Sequence, residues 1–278
     1  MFHRFRIGSM NATIVSDGPL TLPAATTIFE GPAQDDINAE LTGAAMRTDQ
    51  VRIEQNCLLL ETAGKRALFD NGLGSEHLYG PDSGRLFASL REAGIDPASI
   101  DALVLTHAHS DHCWGTMGDD GQPNFPNATI YLSQAELDFW TSDPPGERRE
   151  RSLAGVRKHI LPLRDRIRFI RDGESFLPGV QAWLTPGHTP GHMAFLFDGG
   201  WCLTGDVAFH DPLSYRFPEA ESAYDTDRAQ GVATRRRILD RLAQEQLSVI
   251  GYHQPWPGLG RVERAGGSFR YRRFAQSS

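Results

Sequence analysis

The stretch THAHSDH, residues 106–112, places three histidines and an aspartate directly after the apolar run IDALVL. In an extended or turning backbone, residues two apart point to the same side. His107 and His109 can therefore converge on one point, while Asp111 and His112 reach an adjacent one. Imidazole and carboxylate groups suit zinc and neighbouring transition metals. The stretch predicts a metal-binding loop at the end of a buried strand, with room for two ions.

Two ions need ligands beyond this loop, because each requires at least three protein groups and an open position for water. Further candidates end apolar strands: His188 in WLTPGHTPGH, Asp206 in WCLTGD and His253 in SVIGYH. The carboxyl ends of strands are where α/β folds place their sites. Any one of these residues could still be an ordinary polar group of a core or loop. For His192 and His210, a supporting role near the cluster and no role at all stay equally open.

The composition is that of a globular chain that can bury a full core: 278 residues, 40% hydrophobic and 23% charged. The net charge of −7 is spread along the chain, which argues against a surface that follows nucleic-acid phosphates. The densest basic patch comprises Arg235, Arg236, Arg237 and Arg241. It falls on a predicted amphipathic helix, and we expect a solvated helix face there.

Cys57, Cys113 and Cys202 are odd in number and lie among apolar residues, so we expect reduced core thiols. Cys113 directly follows His112, but with conventional ligands available it is expected to be a packing residue. The N-terminal residues lack the apolar segment of a secretory signal, and no apolar run reaches transmembrane length. We therefore expect a cytoplasmic protein that binds neither nucleic acid nor membranes.

Strand-like runs begin the chain: FRIGSMNATIVSDG, VRIEQNCLLLETAG and KRALFDNG. Residues 19–50 interrupt them without clear periodicity, and a loop of that length is usually functional, so we predict a lid. SGRLFASLREAG predicts a helix ending at Gly94, which leads into the strand ALVLT. The second half repeats the order of strands followed by a helix, the last running from Thr226 to Leu242 with Thr226 or Asp227 as cap. We expect one domain spanning residues 1–278.

The order H-x-H-x-D-H followed by distant His, Asp and His resembles the metallo-β-lactamase superfamily over nearly the whole chain. The resemblance implies an α/β fold, an αββα sandwich of two mixed β-sheets flanked by helices. It also implies one metal ion on His107, His109 and His188, a second on Asp111, His112 and His253, and Asp206 as the bridge. Zinc is the expected metal, and manganese, iron and cobalt also accept these ligands.

In such a centre, water held between two cations loses a proton near neutral pH. The resulting hydroxide attacks either the carbon of a carbonyl group or the phosphorus of a phosphoryl group. Asp111 could take up the proton as the intermediate collapses, so Asp111 and Asp206 are the predicted catalytic residues. Asp70 could accept a hydrogen bond from a ligand imidazole, although a turn-forming role is equally open. Ser110 and Thr189 likewise could support the ligands or simply form turns.

Several branches of the superfamily fit poorly. Flavodiiron proteins have Glu in place of His109, nucleic-acid-processing members add inserted domains, and hydroxyacylglutathione hydrolases carry a helical C-terminal domain where this chain has 25 residues after His253. The C-terminal third, with its H-x-x-x-P-G-x-G-x-V ending, resembles the lactonase and methyl-parathion-hydrolase-like branch, which suggests a homodimer. Smaller acyl-homoserine lactonases have a tyrosine three residues after the bridging aspartate, and this chain has Phe209 there.

Apolar residues that follow the predicted ligands indicate a hydrophobic pocket, to which Leu20 and Leu22 could add a cover. The candidates are Phe29, Trp114, Met117, Phe209, His210, Leu213, Tyr215 and Phe217. Each could instead belong to the core, which is the commoner fate of an aromatic residue. The hypothesis is a hydrolase with two metal ions that opens a lactone or cleaves a small, neutral, largely apolar ester or phosphotriester. The alternatives are an iron persulfide dioxygenase of the same fold, with one ion on His, His and Asp, and a non-catalytic metal-binding protein.

Overall fold

The computed structural model describes residues 1–142 and 147–275, apart from the side chains of residues 147–152. The first ten strands are β1 (Phe2–Ile7), β2 (Met10–Ser16), β3 (Leu20–Leu22), β4 (Phe29–Glu30), β5 (Val51–Ile53), β6 (Asn56–Thr62), β7 (Lys65–Phe69), β8 (Ala102–Val104), β9 (Thr129–Ser133) and β10 (Ile167–Ile170). The others are β11 (Ser175–Leu177), β12 (Val180–Leu184), β13 (Met193–Phe197), β14 (Trp201–Leu203), β15 (Glu221–Ser222), β16 (Ser248–Ile250), β17 (Leu259–Ala265) and β18 (Ser268–Arg273). The helices are α1 (Gln34–Gly43), α2 (Leu86–Glu92), α3 (Ser110–Cys113), α4 (Gln134–Thr141), α5 (Glu147–His159), α6 (Leu213–Arg216) and α7 (Arg228–Gln244).

Fourteen of the strands form two seven-stranded mixed sheets, and the other four pair in two two-stranded sheets, β3 with β5 and β4 with β15. The first has the order β1-β2-β6-β7-β8-β9-β10, antiparallel up to β7 and parallel from β7 to β10. The second has the order β11-β12-β13-β14-β16-β17-β18, in which only the pair β14 and β16 is parallel. Helices flank both sheets, so the predicted αββα architecture is confirmed.

The run CLLL, residues 57–60 of β6, is apolar throughout because both faces of its sheet are covered. Successive side chains of a strand point to opposite faces. Leu58 and Leu60 therefore face the second sheet, in a cluster with Phe195 of β13. Leu59 faces the outer helices, in a cluster with Leu90 of α2. Each fully buried leucine contributes about 1.5 to 3 kcal/mol, which favours the face-to-face packing of the sheets.

The helix α7 covers the second sheet as the sequence periodicity predicts. Its buried face carries Ile238, Leu239 and Leu242, which pack on Trp183 of β12 and other residues of that sheet. The Asp227 side chain caps the helix by accepting a hydrogen bond from the Gln230 backbone N–H, 3.0 Å away. The cap is thus Asp227, one of the two residues predicted for it.

The segment 19–50 is more regular than the structureless loop expected from its sequence. It contains β3, β4, a 3₁₀ turn at Ala25–Thr27 and the ten-residue helix α1. Two of these elements depend on distant partners, because β3 pairs with β5 and β4 with β15. Ile37 and Leu41, one helical turn apart, are the buried residues of α1. A two- or three-residue strand has no sequence period of its own, so only tertiary pairing reveals it.

Arg235 corrects the expectation that the basic residues of α7 form a solvated face, because it is only 1% exposed. Its guanidinium donates hydrogen bonds to the carbonyl oxygens of Val207, Pro218 and Ala220. It also pairs with the Asp225 carboxylate, 3.3 Å away. A buried cation is tolerated only when its donors are satisfied, as they are here.

Among residues 1–142 and 147–275, no helix combines the length and the apolar character needed to cross a membrane. Cys57, Cys113 and Cys202 are buried and free, as predicted. The expectation that residues 1–278 form a single domain stays a prediction.

Replacing Arg235 should test its structural role. We expect Arg235→Met to lower the free energy of unfolding by about 3 to 5 kcal/mol, because Asp225 would keep a buried charge without its partner. Arg237→Met, at an exposed position of the same helix, should cost less than about 1 kcal/mol. Urea denaturation of both variants measures this difference. Equal losses in the two variants would contradict the assigned role.

Candidate metal centre

The candidate ligands lie at one edge of the sandwich because each follows the carboxyl end of a strand. His107 comes after β8 in the first sheet, whereas His188, Asp206 and His253 come after β12, β14 and β16 in the second. Asp111 and His112 sit in α3, a single helical turn that begins directly after His109. Rigid strands on both sides thus present the loops to one another across the interface between the sheets.

His107, His109 and His188 form the first ligand group, whose nitrogen atoms lie within 4.8 Å of one another. The Nδ1 atom of His109 is 2.8 Å from Nε2 of His107 and 2.9 Å from Nε2 of His188. Asp111, His112 and His253 form the second ligand group, with the same limit on the separation of their atoms. The Asp111 carboxylate is 3.4 Å from Nε2 of both His112 and His253.

The Asp206 carboxylate lies between the two groups. One of its oxygens is 3.3 Å from His188 Nε2 in the first group, and the carboxylate is 3.3 Å from His112 Nε2 and 3.4 Å from His253 Nε2 in the second. His192 fixes this position by accepting a hydrogen bond from the Asp206 backbone N–H at 3.0 Å. Of the two roles left open for His192, the structure therefore shows the supporting one.

Buried acceptors orient His107 and His112 through their outer nitrogens. His112 Nδ1 lies 2.9 Å from the Asp70 carboxylate, and His107 Nδ1 lies 3.0 Å from the Thr106 hydroxyl, which itself donates to Asp70. Asp70 has φ +56°, a left-handed backbone conformation that ends β7 and turns the carboxylate under the histidine loop. Since the outer nitrogens carry the protons, both Nε2 atoms present lone pairs to the centre.

His188 and His253 are also oriented through hydrogen bonds of their outer nitrogens. His188 Nδ1 lies 3.0 Å from the Asp225 carboxylate, which Arg235 neutralises from behind. His253 Nδ1 lies 2.7 Å from the Glu54 backbone carbonyl and donates to it. Such outer partners fix the tautomer of a ligand histidine and raise its basicity.

Charge separates the two ligand groups. Burial lowers the pKa of His109 to about 3 and that of His107 well below its usual value, so these two imidazoles of the first group are neutral at pH 7. At His253, burial acts in the same direction, but the Asp206 and Asp111 carboxylates outweigh it and raise the pKa to about 9. Burial raises the pKa of Asp111, yet His112 and His253 hold it below its usual value. The second group therefore attracts positive charge.

The donor set fits two divalent cations. His112 Nε2 and Asp206 Oδ1 are buried and have no hydrogen-bond partner among the described residues. In the first group, the Nε2 atoms of His107 and His188 both lie within 2.9 Å of His109 Nδ1, and nitrogen atoms so close together need a shared cation or proton between them. Neutral imidazoles and carboxylates are the ligands that zinc and its neighbours prefer.

A cavity of about 480 Å³ opens onto these ligands. Of the predicted pocket residues, Trp114 and Phe209 line it, together with Leu20 and Leu22 from the segment predicted as a lid. Phe29 lies behind this wall and stacks on Phe209, with ring centroids 5.2 Å apart. The segment 19–50 therefore contributes a wall built on β3.

The remaining predicted pocket residues do not line this cavity. Leu213 is in the core cluster that surrounds Phe29, and Phe217 packs against the same cluster. Tyr215 stacks on Tyr271, and His210 contacts the edge of Phe29 and borders a second cavity of about 340 Å³. Met117 is buried and its backbone bridges to Pro123. The prediction was wrong for the residues that follow Asp206 in the sequence, because the chain after Asp206 turns away from the cavity into the core.

Sequence reasoning missed several residues that contribute to the site. Tyr79 and Tyr224 line the cavity, and the Tyr79 hydroxyl is 3.3 Å from Ser110 Oγ. Asp225 and Arg235 support His188, but nothing in their local sequence distinguishes them from a surface ion pair. Glu136 contacts both ligand loops, and its position three residues after Ser133 matches a helix capping signal.

The profile of the metallo-beta-lactamase superfamily matches residues 52–245. The chain belongs to this superfamily. The match ends before His253, so the last ligand of the second group rests on the geometry described above. The superfamily fold agrees with the observed pair of mixed sheets flanked by helices.

Two relatives that match part of this chain are proteins named N-acyl homoserine lactonase. The chain is 28% identical over 184 residues to the N-acyl homoserine lactonase AttM of Azorhizobium caulinodans, covering 62% of this chain and 65% of that protein. It is 27% identical over 174 residues to an N-acyl homoserine lactonase of a Bacillus species, covering 55% of this chain and 63% of that protein. The matched region thus spans less than two thirds of either relative.

Solved structures align over the full length. The hydrolase AbOPH of the beta-lactamase superfamily superposes with a TM-score of 0.89 at 28% identity, covering 100% of this chain and 98% of that one. AidC, described as a dizinc quorum-quenching lactonase, superposes with a TM-score of 0.92 at 23% identity, covering 100% and 98%. The likeness to AidC is one of fold.

We expect the stability of the protein to depend on pH through His159, which packs behind the cavity wall. Its ring stacks on Trp114, with centroids 5.2 Å apart, and burial lowers its pKa to about 4 from 6.5. Between these values the unfolded chain binds more protons, so the free energy of unfolding should fall as the pH drops from 6.5 to 4. His159→Phe keeps a stacked ring without the titrating group.

Urea denaturation of chelator-treated protein at pH 7 and pH 5 checks this expectation. The chelator removes any pH dependence that comes from metal binding. The wild type should lose more stability than His159→Phe between the two pH values. An equal loss in both proteins would show that His159 does not couple to folding.

Proposed function

We propose that this chain is a hydrolase that binds two divalent metal ions, zinc most readily, and opens a lactone or cleaves a related small ester or phosphotriester. The observation that carries the proposal is the position of Asp206, whose carboxylate is within 3.4 Å of ligand nitrogens in both groups. Relatives named N-acyl homoserine lactonases and a structural neighbour described as a dizinc lactonase support it.

Bound at these ligands, two divalent ions supply Lewis-acid activation of a water molecule and of the electrophile's oxygen. The chain's own residues provide the rest. The outer partners of the histidines orient the inward nitrogens toward the site, and Asp206 faces both groups. Asp111 lies at the cavity surface, where its carboxylate can take up a proton as the tetrahedral intermediate of the substrate collapses.

The cavity indicates the substrate class. Its walls include Leu20, Leu22, Ile53, Trp114 and Phe209, and none of its described lining residues is Lys or Arg. Such walls favour a neutral molecule with an apolar arm, as a lactone with an acyl chain has. Phe209 is buried against Phe29, so the position that carries a tyrosine in the smaller lactonases offers no hydroxyl here. A homodimer and a cytoplasmic location stay predictions.

The alternative with one iron, a persulfide dioxygenase, needs only His, His and Asp. The second ligand group argues for the hydrolase, because Asp111, His112 and His253 form a further set whose atoms lie within 4.8 Å. Metal analysis by mass spectrometry separates the two: two ions per chain favour the hydrolase, and one iron with oxygen consumption on a persulfide favours the dioxygenase.

Asp206→Ala tests the proposed function. The wild type reconstituted with zinc should hydrolyse at least one member of a panel of lactones, aryl esters and phosphotriesters. The variant should bind fewer ions and lose more than about 10³-fold in kcat/KM, since a metal centre supplies several kcal/mol of transition-state stabilisation.

Asp198→Ala is the matched control, because Asp198 is an exposed aspartate in the hairpin at the opposite end of β14. It should keep both the metal content and the activity. Circular dichroism establishes that each variant is folded. Absence of activity on the whole panel in the metal-loaded wild type would overturn the substrate assignment.

Gly155→Ala tests the shape of the cavity. A Cβ atom at Gly155 would lie 2.3 Å from Nε1 of Trp114, so the indole must move from its place in the cavity wall. We expect kcat/KM for a long-chain lactone to fall about tenfold relative to a short-chain one, the discrimination that one methylene gives in an apolar pocket. Ala154→Ser, at an exposed neighbouring position, should leave this ratio unchanged.

A further inference from the structure

The side chain of Glu136 departs from the role that its local sequence predicts. In SQAE, residues 133–136, Ser133 caps α4 by accepting a hydrogen bond from the Glu136 backbone N–H at 3.0 Å. In such a capping box the glutamate side chain usually returns to the backbone N–H of the serine. Here it extends away from the helix and into the interior, where Glu136 is 0% exposed.

Four donors surround the Glu136 carboxylate. Oε1 accepts hydrogen bonds from the Ala108 backbone N–H at 2.9 Å and from the Trp140 indole at 2.6 Å. Oε2 accepts from the Thr189 hydroxyl at 2.6 Å and from the Gly191 backbone N–H at 3.1 Å. Burial raises the pKa of Glu136, and these hydrogen bonds oppose it. Because all four partners donate, the ionised carboxylate satisfies them, whereas an added proton would find an acceptor only in the Thr189 hydroxyl.

Three of these donors belong to the two loops that carry the first ligand group, and the fourth, Trp140, lies one turn further along α4. Ala108 lies between His107 and His109, and Thr189 follows His188. The Trp140 ring also packs against the His109 ring, with centroids 5.4 Å apart. Glu136 therefore contacts the chain within one residue of every member of the first group, and it touches none of the second group.

We propose that Glu136 is a positioning residue that fixes the spacing of the first ligand group and thereby sets the metal affinity of that site selectively. The inference rests on the proposed metal centre. The chain crosses from the first sheet to the second between His107 and His188, and the carboxylate joins the two loops where they meet.

The second ligand group has separate supports. Asp70 holds His112, the Glu54 carbonyl holds His253, and the Tyr252 hydroxyl donates to the Asp111 carbonyl. A change at Glu136 leaves these contacts in place. We therefore expect a substitution of Glu136 to change the metal affinities of the two sites unequally. If Glu136 were only a structural anchor of α4, the substitution would lower stability and affect both affinities alike.

Glu136→Gln is the first test. The amide keeps the shape but loses the charge, and in either orientation its NH₂ group faces a backbone N–H donor, that of Ala108 or that of Gly191. We expect the affinity for one of two zinc ions to fall about 10- to 100-fold, the usual effect of losing an outer partner, with the other within about threefold of the wild type. Competition with a chromophoric chelator, together with metal counts after dialysis, measures both affinities without substrate.

Thr189→Val and Thr189→Ser form a matched pair that decides the question if Glu136→Gln does not fold. The valine variant removes one donor to the carboxylate and should weaken the same ion by about tenfold, whereas serine keeps the hydroxyl and should restore wild-type affinity. Asp17→Asn is the control for a buried carboxylate, since Asp17 accepts from the Leu73 and Leu86 backbone N–H groups and not from the ligand loops. It should lower stability without separating the two affinities.

Equal weakening of both ions in Glu136→Gln, or wild-type affinity for both in Glu136→Gln and Thr189→Val, would overturn the inference. The metal measurements also separate this result from the proposed function. A wild type that binds two zinc ions but hydrolyses nothing in the panel would overturn the substrate assignment. Selective loss of one ion in the variants would support the role of Glu136 in either case.

Discussion

The outer nitrogens of three candidate ligand imidazoles donate their hydrogens to carboxylate or carbonyl acceptors, and the candidate metal centre depends on this arrangement. Once the outer nitrogen carries the proton, the inner nitrogen presents a lone pair to the centre. At His112 the acceptor is the Asp70 carboxylate, at His188 the Asp225 carboxylate and at His253 the Glu54 carbonyl. Without these partners, a neutral imidazole could present either nitrogen, and the converging geometry would be one of several alternatives.

Charges buried behind the ligands explain why the interior around them is polar. The Asp225 carboxylate is balanced by Arg235, whose other donors bind backbone carbonyls, including that of Val207 next to Asp206. The Glu136 carboxylate is balanced by four hydrogen bonds. Unpaired charges in such places would cost several kcal/mol, so each must have its partners, and each partner ties a ligand loop to a rigid element. The apolar core packed between the two sheets supplies that rigidity.

Much of this could be predicted from the sequence, and the failures have physical causes. The seven candidate ligands and the strands before them were predictable because metal-binding side chains are few in kind and buried strands form unmistakable apolar runs. The short strands of the segment 19–50 were not, because their pairing partners are β5 and β15. Arg235 was assigned to a solvated face because helical periodicity cannot distinguish a buried arginine with satisfied donors from an exposed one. Leu213, Tyr215 and Phe217 were placed in the pocket by their nearness to Asp206 in sequence, but they pack away from it.

The sequence by itself determined the kind of chemistry, because the order of histidines and aspartates, each placed after an apolar strand, specifies donors that suit metal ions. Only the tertiary structure decided which distant residues hold those donors in place. Asp225, Arg235 and Glu136 act across the space between loops that are far apart in the chain, and hydrogen bonds of this kind have no local sequence signal. The physical reason is that a ligand's identity belongs to one residue, whereas its orientation is a property of all the groups packed around it.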